Sequence, residues 1–80
     1  MAKVTLAEIV AKWERQLHDL EKTCASYEFR KSRNGTPKQD GGVNEWTSDH
    51  EGSYQRTLAR IDMMKEHIRI LQEYALAHAR

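Results

Sequence analysis

Apolar residues recur through the first third of the chain at the spacing of a helix seam. Leu6, Val10, Trp13, Leu17, Leu20, Cys24 and Tyr27 follow one another at alternating steps of four and three. That heptad rhythm keeps one stripe of a helix turned toward a partner. Polar residues fill the remaining faces. Thr5 and Glu8 have the spacing of a capping box, and Val4 and Ile9 stand at the two positions of a hydrophobic staple. The pattern predicts a helix over about residues 5–27.

A second seam runs toward the C-terminus through Tyr54, Leu58, Ile61, Met64, Ile68, Leu71 and Ala75. Ser53 is one candidate cap. Ser48 is the other, since Ser48 and Glu51 have capping-box spacing, and a start there places Gly52 inside the first turn. This predicts a helix over about 50–78. Two seams of similar length predict an antiparallel helical hairpin and a mainly α fold. The whole chain reads as a single helical-hairpin domain, residues 1–80.

The second helix carries more apolar surface than that pairing uses. Met63, Ile70 and Tyr74 point roughly 130° away from its seam at 100° per residue, with His67 at their edge. A two-helix hairpin has no third layer to cover them. Met63, His67, Ile70 and Tyr74 are therefore the candidate partner-binding residues, for self-association as a dimer or larger assembly, or for another protein.

The middle, about residues 28–49, breaks the helical rhythm. "SYEF" alternates Tyr27 and Phe29, and "VNEW" supplies Val43 and Trp46. Between them lie turn signals at Asn34-Gly35 and Asp40 to Gly42. Two readings stay open. One is a short β-hairpin with arms near 27–31 and 43–47. In the other, the first helix runs on to about Lys31 and an irregular loop follows. Between residues 28 and 38, Arg30, Lys31, Arg33 and Lys38 oppose only the acid Glu28, so nucleic-acid phosphates or an acidic protein surface are candidate contacts of this basic tip.

Composition narrows the function classes. Eighty residues bury little surface, and Cys24 is the only cysteine, so no disulfide can form within the chain. A partner subunit becomes the expected staple. One unpaired thiol suits a reducing cytoplasm. A net charge of +1 from abundant charges of both signs does not mark a generic polyanion binder. The N-terminal segment lacks an apolar run of signal-peptide or membrane-span length, so a soluble cytoplasmic protein is expected.

Catalytic chemistry is not expected. There is no phosphate-cradling Gly-rich loop, no cysteine pair for zinc and no i,i+4 histidine pair among His18, His50, His67 and His78. No cofactor and no metal are implied. "SDHE" at Ser48 to Glu51 groups a Ser, an Asp, a His and a Glu, but neighbours in sequence rarely converge on a substrate. These four read as the start of the second helix.

The layout resembles the small head-to-tail joining proteins of tailed phages, the lambda gpW type. The segments that carry the resemblance are "VTLAEI", Trp13, "SYEF" and "LARIDMMKEHI" from Leu58 to Ile68. The resemblance covers most of the chain as an arrangement of helix, short β-hairpin and antiparallel helix. It implies a connector subunit in a ring beneath the phage portal, in the virion or the host cytoplasm. The competing expectations are a small phage-encoded inhibitor that docks on a host protein through its helices, and a nucleic-acid-binding protein that uses the basic tip.

Overall fold

A computed structural model describes residues 4–78. The first helix, α1, spans Leu6–Ser32, and the second, α2, spans Ser48–Ala77. They pack antiparallel. Trp13 meets His67, Tyr27 meets Tyr54 and Lys31 meets Glu51, so residues early in α1 face residues late in α2. The result is a helical hairpin, drawn out to 63 × 23 × 16 Å.

The N-terminal punctuation of α1 is realised. The amide of Glu8 donates to Thr5 Oγ1 at 3.1 Å, and Glu8 Oε2 accepts from the Thr5 amide at 3.2 Å. These two bonds satisfy donors that a helix end leaves unpaired. Val4, one of the two expected staple residues, remains 68% exposed.

At its other end α1 runs past Tyr27 to Ser32. Nothing in Glu28 to Ser32 opposes a helix, and Arg30 and Lys31 in the last turn suit the negative end of its dipole. The helix stops where Asn34-Gly35 turns the chain, with Gly35 at φ +83°. Only glycine takes that backbone without strain.

This extension removes the first arm of the β-hairpin. The stretch 27–31 is helical, and no strand forms among the described residues. What remains is one isolated antiparallel bridge between Pro37 and Val43. The Lys38 amide donates to Gly42 O at 2.7 Å, and the Asn44 amide donates to Thr36 O at 2.8 Å. Pro37 has no N–H to extend a ladder. Side chains complete the connector. Asn34 Oδ1 accepts from the Trp46 amide at 2.9 Å, and Asn44 Nδ2 donates to Thr36 Oγ1 at 2.8 Å.

Helix α2 starts at Ser48, and its cap is Thr47, not Ser48 or Ser53. His50 supplies the reciprocal bond of the capping box. Its amide donates to Thr47 Oγ1, and its Nδ1 accepts from the Thr47 amide, both at 3.2 Å. Glu51, the expected box partner, points to Lys31 and Trp46 instead.

The core is a single seam. Cys24, Ile61 and Ile68 are buried, and the other residues of both predicted seams are half-buried. Thr57 is buried among them. Its hydroxyl donates to Ser53 O at 2.9 Å, which satisfies it inside the helix. Among the described residues no large side chain is fully enclosed.

Candidate interaction face

The outer surface of α2 holds three large apolar side chains in water. Met63 is 56% exposed, Ile70 49% and Tyr74 54%. They alternate with His67 at steps of four, three and four, so Met63, His67, Ile70 and Tyr74 form a second heptad stripe on the same helix. The structure brings all four predicted residues onto one face.

Two further residues belong to this face. The Trp13 ring lies 5.7 Å from that of His67, at 46°. With Ile70 and Leu71 these two line a shallow hollow of about 200 Å³ whose wall is almost wholly apolar. Trp13 comes from α1, so the face crosses from one helix to the other. Its place in the α1 seam makes it core by periodicity, and only the hairpin register puts it beside His67.

The edges of the face differ. Arg69 holds Glu66 through two nitrogens, Nε at 3.1 Å and Nη2 closer, and Glu73 Oε1 through Nη1 at 2.7 Å. The Arg69 hydrogen bonds hold the Glu66 carboxyl below its usual range, and the Arg69 guanidinium is pushed up by both carboxylates. Toward the C-terminus, the Tyr74 and His78 rings stack at 4.0 Å.

Another apolar groove lies at the open end of the hairpin. Leu6, Ala7, Val10 and Ala11 of α1 face Ala75 and Leu76 of α2 across about 580 Å³. Leu76 is 78% exposed.

The predicted basic tip divides. Arg30, Arg33 and Lys38 line one hollow of about 330 Å³, together with Phe29, Asn44, Glu45 and His50. Arg33 lies 5.7 Å over the Phe29 ring. Lys31 turns away from them. Its Nζ reaches Glu51 at 3.0 Å and stands over the rings of Tyr54 and Trp46. Sequence reasoning did not find this pairing, because the residues belong to different elements.

Other chemistry is sparse. The Cys24 thiol is buried and donates to Glu28 Oε1 at 3.2 Å. Burial first, then the Glu28 hydrogen bond and negative charge, push the thiol pKa up. A nucleophilic cysteine needs the reverse shift. Among the described residues no group of three or more His, Cys, Asp or Glu stands ready for a metal, and no helix is long and apolar enough to cross a membrane. No protein-family model, no curated protein and no solved structure matches the chain.

Proposed function

We propose that this chain is a non-enzymatic protein–protein interaction module that works through the face of Met63, His67, Ile70 and Tyr74. The carrying observation is the exposure of three large apolar side chains in heptad register on a helix whose other seam is already used. Each is already about half covered, so burying the rest would contribute about 0.8–1.5 kcal/mol apiece, which is substantial in sum beside the stability of one small domain.

Within this class we favour an assembly subunit, in keeping with the resemblance to phage head-to-tail joining proteins. That likeness now rests on the two helices, since the middle forms no strand. An inhibitor docked on one host protein is the competing member of the class. A photo-crosslinking amino acid at Ile70, introduced in the cells that carry the gene, tests the module. Adducts that disappear with a Met63→Lys change support it. Absence of any adduct at position 70 would sink it.

A second reading has its own observation. Arg30, Arg33 and Lys38 share one hollow and make no ion pair among the described residues. Nucleic-acid binding at this tip would weaken steeply with salt, about one unit of slope per phosphate contact. Salt-independent retention on DNA, or none at low salt, would remove it.

A further inference from the structure

We infer that the occupant of this face is a second copy of the chain, its α2 packed antiparallel on the first so that the two hairpins form a four-helix bundle. The inference rests on the interaction reading just given and names the partner.

Surface area makes the first argument. The chain exposes 6576 Å². A compact folded chain of 9.3 kDa would expose about 5,000 Å². The surplus is roughly 1,500 Å² per chain, so two chains together have about 3,000 Å² to hide, within the range of obligate homodimers. The radius of gyration agrees. It is 18.4 Å, against about 12 Å for a compact domain of this length. A hairpin one seam thick has half the layers of a bundle.

The second argument is the symmetry of the stripe. Met63, His67, Ile70 and Tyr74 are spaced four, three, four, which reads the same in both directions. An isologous two-fold contact uses the same patch on both subunits, and this spacing lets the stripe layer on an inverted copy of itself. With the axis midway between His67 and Ile70, Met63 layers on Tyr74 of the partner subunit, and His67 layers on Ile70 of the partner subunit. All four residues are then used twice. Methionine sulfur against a tyrosine ring is a favourable pairing. Ile70 of the partner subunit becomes the knob that enters the hollow between Trp13, His67, Ile70 and Leu71.

The two edges differ in this arrangement, one repulsive and the other apolar. This register brings Glu66 near Glu73 of the partner subunit, a like-charge contact. Arg69 already binds both carboxylates on its own chain and offsets that repulsion. On the other edge, Leu71 and Trp13 continue the apolar surface onto α1, as a four-helix core needs.

Cysteine cross-linking tests the register. In a Cys24→Ser background, the Met63→Cys, Tyr74→Cys double variant should close disulfides between chains under mild oxidation and run as a covalent dimer. Neither single variant should. Met63 and its symmetry mate lie about 16 Å apart along the axis at 1.5 Å per residue, beyond the reach of a disulfide. The same separation prevents closure within one chain. Light scattering of the unmodified protein should give twice 9.3 kDa. Cross-linking of the Met63→Cys single variant as efficiently as the double would overturn the antiparallel register. A monomeric unmodified protein would overturn the second copy. If Ile70 of that monomer still cross-linked to a different protein, the interaction module would survive and only its occupant would change. With no adduct at all, both readings would fall.

Discussion

Lys31 and Glu51 are joined across the closed end of the hairpin, with Nζ 3.0 Å from Oε1 and 3.3 Å from Oε2. Glu51 Oε2 also accepts the Trp46 indole N–H at 3.0 Å. One carboxylate therefore ties the last turn of α1, the connector and the first turns of α2. Around it Tyr27, Trp46 and Tyr54 meet edge to face, with ring centres 6.1 to 6.3 Å apart. Such pairs add to the stability gained from burial alone. The closed end is thus built as an aromatic cluster with a charged clasp, while the open end exposes Leu76 and Val4.

The clasp predicts an acid response. The Lys31 hydrogen bond first, and the Trp46 hydrogen bond second, hold the Glu51 carboxyl below its ordinary range. A folded-state pKa lower than the unfolded one stabilises the fold above the unfolded value, and the benefit is lost as pH falls through the folded value. Melting temperature should therefore drop between neutral pH and about pH 3. Glu66 contributes a loss of the same sign through Arg69. Comparison with Glu51→Gln isolates the clasp, because the gap between that variant and the unmodified protein should narrow as the solution is acidified. A gap independent of pH would mean that the carboxylate charge is not what binds.

The division of the basic tip predicts unequal mutants. Lys31→Ser should lower the melting temperature, because it unties Glu51 and empties the space above Tyr54 and Trp46. A joint Arg30→Ser, Arg33→Ser, Lys38→Ser variant should fold with nearly unchanged stability, since exposed unpaired charges contribute little. Its effect should fall on binding alone. Equal destabilisation by the single and the triple change, read from thermal melts, would contradict the division.

The seams were legible because their periodicity is strict and because one buried face is what a helix of this kind requires. The same logic found Met63, Ile70 and Tyr74 exposed. The connector was not legible to the same degree. Tyr27 and Phe29 alternate as strand residues do, yet Glu28 to Ser32 hold no helix breaker, and the helix simply continues. The cap of α2 lies one residue before Ser48 and six before Ser53, where Glu51 is engaged by Lys31 and Trp46 and His50 bonds Thr47. Thr57 was missed because a hydroxyl in a seam looks polar, although a bond to Ser53 O lets it be buried.

The seam itself predicts graded costs. Ile68 is 7% exposed and Ile61 6%, so Ile68→Ala and Ile61→Ala should each cost roughly 2–5 kcal/mol in urea unfolding. Leu17 lies in the same seam but is only half-buried. Leu17→Ala should cost less than either, about 1–2 kcal/mol, because less surface returns to water. A Leu17 change as damaging as that of Ile68 would show that Leu17 is covered in solution, as it would be within a larger assembly.

Two glycines predict changes of opposite sign. Gly41 sits at φ +92° in open space, so a side chain there meets nothing but holds a strained backbone. Gly41→Ala should destabilise the connector by about 1 kcal/mol. Gly52 lies inside α2, where its backbone is helical. A methyl group at Gly52 would stand 3.4 Å from Arg56 Nη1, the far end of a flexible side chain that can move aside. Glycine costs a helix interior about 0.5–1 kcal/mol relative to alanine, chiefly through the freedom it has when unfolded. Gly52→Ala should therefore raise stability by roughly that amount, measured as a higher urea midpoint at unchanged slope. The result also bears on function. If Gly52→Ala folds more stably yet loses partner binding, the bare backbone at Gly52 is a contact surface. If binding is unchanged, Gly52 is only a weak point in the first turns of α2, and the working surface remains the stripe from Met63 to Tyr74.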